Sequence, residues 1–267
     1  MILGAKNLTL SYESSIIVPQ LNLFIKPQEV VTFIGPNGSG KSTILKALAR
    51  FLKAKNGVVY LNGQDIQTLS TKQVAQKLAI LPQTPQAPAD LTVLELVSRG
   101  RAPHLKWWQR SSSHDYEVIN WALTETKTMK LADRLVGTLS GGERQRAWIA
   151  MALAQSPEIL LLDEPTTYLD ICHQLEIMEL VTKLNQELGL TVVMVLHDIN
   201  QAARYSHRLI ALKKGQIVAQ GSPQQILTAE LLADVFRVKA IVKSDPESGN
   251  PVCLPYGIAE SCSECLS

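Results

Sequence analysis

The sequence lacks the features that typify membrane-spanning, secreted and nucleic-acid-binding proteins. No apolar run reaches the roughly 18 residues that a transmembrane helix needs. No basic stretch followed by an apolar one opens the chain, so we expect no secretion signal. Lysine and arginine number 26 against 24 aspartates and glutamates, an excess too small to attract nucleic acid in general. We therefore expect a cytoplasmic protein without a nucleic-acid partner, whose contact with a membrane would be peripheral.

Cysteine is also scarce. The chain has four cysteines, too few for a disulfide framework, and this scarcity favours the cytosol. Cys262 and Cys265 form a CxxC pair in the C-terminal stretch "SCSECLS". Because no second pair accompanies them, we interpret them as surface thiols, the alternative being a weak metal or redox role.

The apolar pattern indicates an α/β fold. Nearly continuous apolar runs such as "VVTFI" (30–34) and "LTVVMV" (190–195) are typical of strands covered on both faces of a parallel sheet, and helical patterns lie between them. Near the N-terminus, "LTLSY" and "LNLFI" alternate instead, as half-buried antiparallel strands do. We predict a parallel-sheet core with an N-terminal antiparallel β subdomain and a helical subdomain inserted at about 90–155.

The same pattern predicts one large domain over residues 1–243. No internal repeat is visible, so each chain carries a single set of motifs. Residues 244–267 are rich in proline, glycine, serine and cysteine, and we expect them to form a loose C-terminal tail.

A glycine-rich turn, "GPNGSGKST" (35–43), follows the first buried strand and precedes a helical pattern. Glycines let successive backbone N–H groups curl toward phosphate oxygens, and the helix adds its positive N-terminal end. A lysine and a serine at this spacing can reach the β- and γ-phosphates and bind Mg²⁺, respectively. The turn therefore predicts a nucleoside triphosphate site made by Gly35, Pro36, Asn37, Gly38, Ser39, Gly40, Lys41, Ser42 and Thr43.

Two further buried strands end in polar side chains. "ILLLDE" places Asp163 and Glu164 at the carboxyl end of a strand, where open α/β sheets bind ligands. Asp163 can hold Mg²⁺, and Glu164 can take a proton from water that attacks the γ-phosphate. His197 ends "LTVVMVLHD" and can contact the γ-phosphate or orient that water. We predict that Lys41, Glu164 and His197 form the catalytic set.

The stretch "LSGGERQR" (139–146) lies between Gln83 and the Asp-Glu strand. Together with the preceding motifs it resembles the ATPase subunit of ABC transporters, a likeness that covers about residues 1–240. The resemblance implies that Ser140, Gly141 and Gly142 meet ATP held by a second copy. One fold can hardly wrap two phosphate-facing surfaces around one nucleotide, so we expect a head-to-tail dimer, most simply a homodimer, with two ATP at its interface.

The resemblance also implies roles for single residues. Tyr12 lies where the family stacks an aromatic ring on adenine, and Gln83 matches the glutamine that touches Mg²⁺ and senses the membrane partner. Asp170 matches an aspartate that communicates across the dimer. Tyr168 is bulky where the family often has small residues, which affects the contact geometry there. Glu143 stands where glutamine is common, and we expect little effect from it.

A basic and aromatic segment, "LTVLELVSRGRAPHLKWWQR" (91–110), suggests a partner. Exposed arginines and aromatic rings favour interfaces, so we interpret residues 83–110 as the surface that docks a cytoplasmic helix of a membrane permease. The alternative is a solvated basic loop. The residues that suggest docking are Arg99, Arg101, Lys106, Trp107, Trp108 and Arg110.

Longer stretches, such as "LLLDEPTTYLDICHQLEIMELV", resemble the ATPase subunits of bacterial ferric-siderophore importers, to which haem and cobalamin importers are close. The resemblance implies an ATPase, peripheral on the cytoplasmic face of the bacterial inner membrane, that uses ATP and Mg²⁺ to drive import of an iron chelate. A periplasmic or lipoprotein substrate-binding protein would act indirectly. Two alternatives stay open: the same subunit serving haem or cobalamin, and a soluble ABC ATPase that is not coupled to a permease.

Overall fold

The computed structural model describes residues 2–13, 15–88, 90–106 and 111–259. The chain divides into two compact units that alternate along the sequence. The first unit comprises Met1–Leu3, Lys26–Gln28 and Tyr60–Val193, and the second comprises Gly4–Ile25, Glu29–Val59 and Met194–Ser267. Among the described residues, no helix combines the length and the apolar character needed to cross a bilayer.

The strands are short, as in most α/β proteins. They are β1 (Leu3–Tyr12), β2 (Ser15–Ile25), β3 (Val30–Ile34), β4 (Asn56–Leu61), β5 (Gln64–Asp65), β6 (Leu78–Leu81), β7 (Ile159–Asp163), β8 (Thr191–Val195), β9 (Arg208–Lys213), β10 (Gln216–Gly221), β11 (Val238–Ser244) and β12 (Pro251–Ile258).

The helices lie between these strands. They are α1 (Lys41–Leu48), α2 (Thr71–Ala75), α3 (Val93–Ser98), α4 (Ser113–Glu125), α5 (Gly141–Ala154), α6 (Ile171–Leu188), α7 (Ile199–Tyr205), α8 (Pro223–Ile226) and α9 (Ala229–Leu231). Single turns of 3₁₀-helix occupy Arg99–Arg101, Met129–Leu131 and Val136–Thr138, and a π-helical turn occupies Leu232–Phe236.

The first unit contains parallel strands and the helical segment. β6 and β7 run parallel, from the pair Leu78–Ile159 to the pair Leu81–Leu162, and β8 lies beside β7. Every residue of β7 and β8 is buried, as expected of strands with both faces covered. α3 and α4 pack against α5. The predicted helical segment at about 90–155 therefore contains three α-helices joined by short turns.

The second unit contains the phosphate-loop strand and the N-terminal strands. β3 runs parallel to β9, and β9 turns back into the antiparallel β10. Lys214 and Gly215 both have positive φ, 49° and 77°, the backbone that a tight hairpin requires. In the other sheet the order is β2-β1-β4. Only two residues separate β1 from β2, so this pair is antiparallel. The predicted fold class is confirmed in both units.

The start of several helices follows from local sequence. Five described helices begin with a capping box, in which a serine or threonine and the residue three positions later bond to each other's backbone N–H. The pairs are Ser70 with Gln73, Thr92 with Glu95, Ser112 with Asp115, Ser140 with Glu143, and Ser222 with Gln225. These pairs fix the helix boundaries before any tertiary contact is considered.

The C-terminal segment departs from the expectation of a loose tail. β12, Pro251–Ile258, pairs antiparallel with β11. The side-chain amide of Asn200 in α7 donates to the carbonyl of Cys253 at 3.2 Å, and the N–H of Cys253 donates to Asn200 Oδ1 at 2.8 Å. For residues 251–258 the expectation is wrong, because strand pairing and this side-chain clasp outweigh a composition typical of loops. Cys262 and Cys265 lie outside the described residues.

Candidate functional site

The glycine-rich turn connects β3 to α1 as predicted. Gly40 precedes the helix with φ of 98°, and no side chain caps the helix there. Gly35 has φ of 149°, and a Cβ at this position would lie 2.3 Å from the carbonyl oxygen of Leu212. Only glycine satisfies both the backbone conformation and this close approach.

The side chains of the turn fit a phosphate group. The Lys41 ammonium donates to the carbonyls of Gly35 and Pro36 at 2.8 and 3.0 Å, which folds the buried side chain back across the loop. The Ser39 hydroxyl is buried and has no hydrogen-bond partner within the described chain. A cation, an uncapped helix start and an unsatisfied hydroxyl at one turn suit an anion with several acceptor oxygens.

Two other predicted residues lie in the same unit. Tyr12 ends β1 and is 44% exposed, as stacking on a base requires. His197 is exposed two residues after β8, and Asp198 beside it caps α7 by accepting from the N–H groups of Asn200 and Gln201 at 2.8 and 3.0 Å. A cavity of about 410 Å³ has Gly35, Pro36, Asn37 and His197 in its lining. The second unit thus brings the histidine and the start of the phosphate loop to one cavity.

In the first unit, Gln83 and Glu164 are in direct contact. Asp163, at the end of β7, is only 4% exposed, and Glu164 follows it with a positive φ of 53°. The Gln83 amide donates to Glu164 Oε2 at 2.5 Å, and the Thr167 hydroxyl donates to the same oxygen at 3.1 Å. A strained backbone at a residue with a predicted catalytic role is typical of functional sites. Sequence reasoning did not single out Thr167.

Ser140 is the N-cap of α5, so Gly141 and Gly142 supply its first N–H groups. The Ser140 N–H donates to Glu143 Oε2 at 2.9 Å, and the Glu143 N–H donates to Ser140 Oγ at 3.3 Å. The backbone N–H of Ser140 lowers the pKa of Glu143, as do the Ser140 hydroxyl and the charges of Arg134 and Arg146. Glu143 is therefore the second half of a capping box, a role readable from the Ser-x-x-Glu spacing.

Asp170 is the N-cap of α6 and contacts a histidine that sequence reasoning did not identify. Its Oδ1 accepts from the His173 N–H at 2.9 Å and from His173 Nδ1 at 2.8 Å. These two bonds, the backbone one first, lower the pKa of Asp170. Tyr168 has φ of 64° and is 93% exposed. A Cβ built on Gly142 would lie 2.1 Å from His173 Cδ2, and no motif rule finds this contact because Gly142 lies 31 residues before His173.

The structure describes three of the basic residues in the segment predicted to dock a permease. Arg99 and Lys106 are exposed, but Arg101 is 4% exposed and cannot face a partner. Its guanidinium donates to Asp115 Oδ1 at 2.9 Å and to the carbonyl of Ala154 at 2.8 Å, which joins α4 to the end of α5. The docking role is therefore wrong for Arg101. The residues 107–110 of the prediction lie outside the described part of the chain.

Comparisons with known proteins agree with these motifs. The profile of the ABC transporter family matches residues 18–167. The chain is 49% identical to the iron(3+)-hydroxamate import ATP-binding protein FhuC of Bacillus subtilis, over 99% of this chain and 98% of that protein. It is 50% identical to the petrobactin import ATP-binding protein FpuD of Bacillus anthracis, over 96% and 93%. It is 46% identical to the ferric enterobactin transport ATP-binding protein FepC of Escherichia coli, over 96% and 94%.

Solved structures show the same fold. A chain of a metal-chelate type ABC transporter in an inward-facing conformation has a TM-score of 0.83 and 30% identity, with 96% of this chain and 97% of that chain covered. The dimeric ATP-binding cassette MJ0796, in a post-hydrolysis state bound to ADP and Pi, has a TM-score of 0.72 and 34% identity, with 82% and 98% covered.

Proposed function

Since this chain belongs to the ABC transporter family and has the fold of its nucleotide-binding ATPase subunits, we propose that it energises the import of a ferric siderophore across the bacterial inner membrane. One observation carries the choice of cargo. Relatives that are 46–50% identical over at least 93% of both chains are named for ferric hydroxamate, petrobactin and ferric enterobactin transport. That likeness extends well beyond the residues that bind nucleotide.

The proposed chemistry is hydrolysis of MgATP. Lys41 neutralises phosphate charge, and the uncapped start of α1 supplies backbone donors. Glu164 accepts the proton of the attacking water, and His197 orients that water or the γ-phosphate. When bound, Mg²⁺ would supply further neutralisation of the phosphate charge. The proposed metal ligands are Ser42, Gln83 and Asp163.

The remaining proposed nucleotide contacts come from the resemblance to the family. Tyr12 would stack on adenine, Gln83 would touch Mg²⁺, and Asp170 would communicate across the dimer. The proposed ATP-binding residues are Tyr12, Gly35, Pro36, Asn37, Gly38, Ser39, Gly40, Lys41, Ser42, Thr43, Gln83, Ser140, Gly141, Gly142 and Asp170.

A second copy of the chain completes each site. Ser140, Gly141 and Gly142 form a second phosphate-facing helix start, and the chain has one set of motifs, so two copies in head-to-tail arrangement present each start to the partner's nucleotide. Similar cassettes form dimers. We propose a homodimer that closes on two MgATP and reopens after hydrolysis.

The proposed location is the cytoplasmic face of the inner membrane, with the chain held there by its permease. Residues 83–110, in which Arg99 and Lys106 are exposed, would receive a cytoplasmic helix of the permease. A periplasmic or lipoprotein binding protein would act through that permease. The proposed ATPase domain has its helical insertion at about 90–155, and it extends past residue 243 because β12 pairs with β11.

The test is the ATPase rate of the purified chain, alone and with its neighbouring permease in lipid vesicles. Each is measured with and without the cognate binding protein loaded with a ferric siderophore, haem or cobalamin. Stimulation that needs the permease and the ferric siderophore supports the proposal, and Lys41→Ala is the inactive control. Stimulation by haem or cobalamin alone would overturn the cargo. A rate indifferent to permease and cargo would identify an uncoupled ATPase.

A further inference from the structure

We propose that His173 is a positioning residue that fixes the first turn of α5, which carries Gly142, against the first turn of α6, which Asp170 caps. Both turns carry residues that the proposed function places at the nucleotide interface between two copies, and the inference rests on that function. The imidazole ring of His173 thereby connects Gly142 to Asp170, two residues that belong to different motifs.

The first observation is the close approach of the ring to Gly142. A Cβ built on Gly142 would lie 2.1 Å from His173 Cδ2, 2.6 Å from Cγ and 2.9 Å from Nε2. Carbon atoms in contact are normally about 3.5 to 4 Å apart. The ring therefore occupies the space that any side chain at position 142 would need.

The neighbouring glycine lacks this constraint. Gly141 is exposed, and a Cβ built on it meets only Leu169 Cδ2, at 3.3 Å, a contact that the end of a leucine side chain can relieve by a small rotation. The two glycines of the motif are thus demanded for different reasons. Gly142 must yield space to His173 within its own chain, whereas Gly141 is free of that requirement.

The second observation is the tether that holds the ring in place. Nδ1 of His173 lies 2.8 Å from Asp170 Oδ1, and the His173 N–H donates to the same oxygen at 2.9 Å. A carboxylate only accepts, so Nδ1 carries the donated hydrogen. The side chain of His173 is 33% exposed, so most of the ring is covered. Because one edge of the ring contacts Gly142 and Nδ1 bonds to Asp170, the ring fixes the distance between the first turns of α5 and α6.

The consequence concerns the N–H groups at the start of α5. To bind well, these donors must be positioned to within a few tenths of an ångström relative to a phosphate of the ATP that the second copy holds. Loss of the ring removes its packing contact with Gly142 and releases one restraint on Asp170. His173→Ala should therefore weaken ATP-driven closure of the dimer and leave the chemistry in a closed dimer unchanged.

The steric part is tested by thermal unfolding of Gly142→Ala, His173→Ala and the double variant. We expect Gly142→Ala to lower the Tm by about 3 to 6 °C through overpacking, and by less than about half of that in the His173→Ala background. Gly141→Ala is the matched control, and its effect on Tm should be the same in both backgrounds. An equal effect of Gly142→Ala in both backgrounds would overturn the inference.

The functional part is tested by the dependence of the ATPase rate on ATP concentration. We expect His173→Ala to raise the half-saturating ATP concentration about fivefold or more with little change in kcat. His173→Asn keeps a side-chain N–H donor near the position of Nδ1 and should restore part of the lost ATP affinity. His173→Phe keeps a ring but no donor and should restore less. A fall in kcat at unchanged half-saturation would overturn the positioning role.

The two measurements separate the inference from the function on which it rests. Coupling between positions 142 and 173 in Tm requires no nucleotide. If the Tm values show coupling but the wild-type chain hydrolyses no ATP, the proposed function is overturned and the contact between His173 and Gly142 is kept. If the wild-type chain hydrolyses ATP but the Tm values show no coupling, the proposed function is kept and the contact is overturned.

Discussion

The Gln83 amide donates a hydrogen bond to Glu164 Oε2 at 2.5 Å, and Thr167 donates to the same oxygen at 3.1 Å. This carboxylate is the proposed proton acceptor for the attacking water. Two donors on one oxygen restrain the orientation of the carboxylate. In this conformation Glu164 is therefore held by its neighbours.

Gln83→Ala should raise the ATPase rate of the chain measured without permease by about fivefold, because one hydrogen bond worth about 1 kcal/mol no longer holds Glu164. The stimulation by permease should fall at the same time. Thr167→Val removes the longer bond and should raise the unstimulated rate by less. Loss of the proposed contact between Gln83 and Mg²⁺ would lower the unstimulated ATPase rate. A fall in that rate would therefore contradict the prediction and show that the contact with Mg²⁺ outweighs the bond to Glu164.

Glu164→Gln should lower kcat by about a hundredfold or more, because the amide cannot accept the proton of the attacking water. The glutamine keeps the size of the side chain, so ATP should still close two copies. Size-exclusion chromatography with MgATP should show a stable dimer for this variant and a monomer for Lys41→Ala. Turnover near the wild-type rate would remove Glu164 from its proposed role.

Asp115→Asn should destabilise the helical segment by about 3 kcal/mol, measured by urea unfolding at pH 7. The side chains of Arg101 and Asp115 are 5% and 6% exposed, with Nε and Oδ1 2.9 Å apart, and breaking one partner of a buried pair leaves an uncompensated charge. The exposed pair Lys183–Glu125, with side chains 46% and 21% exposed, is the comparison. Glu125→Gln should cost less than about 1 kcal/mol.

The same carboxylate predicts a dependence of stability on pH. The hydroxyl and N–H of Ser112, and then Arg101, lower the pKa of Asp115 to about 2 from 3.8. A lowered pKa in the folded chain contributes stability above the unfolded value, which is lost as the pH falls from about 4 toward 2. The wild type should therefore lose roughly 1 to 2 kcal/mol more than Asp115→Asn over this range. Parallel stability curves would contradict the prediction.

Asn200→Ala should release β12 from α7. The two bonds between Asn200 and Cys253 are worth about 1 to 2 kcal/mol together, and burial, with the charge of Asp198, raises the pKa of the Cys253 thiol and keeps it unreactive. We expect iodoacetamide to label Cys253 several times faster in the variant, measured by mass spectrometry of its peptide. Gln224→Ala, which loses one exposed bond to Asn250, should leave the rate unchanged.

Much of the candidate site follows from residues that are close in sequence. The phosphate loop needs glycines at positive φ between a buried strand and a helix, and the nine residues "GPNGSGKST" contain these glycines. Capping boxes depend on a spacing of three, and buried strands on short apolar runs. Residues so near one another adopt these arrangements in almost any tertiary context.

Contacts between distant segments could not be derived in this way. The sequence shows a basic Arg101 but not that Asp115 and Ala154 bury it, and it shows a composition typical of loops at 251–258 but not the pairing with β11 and Asn200. The sequence alone determined the α/β fold class, the glycine-rich turn between a buried strand and a helix, and the family. The tertiary structure decided that His173 fills the space above Gly142, because such contacts depend on how helices pack rather than on any spacing along the chain.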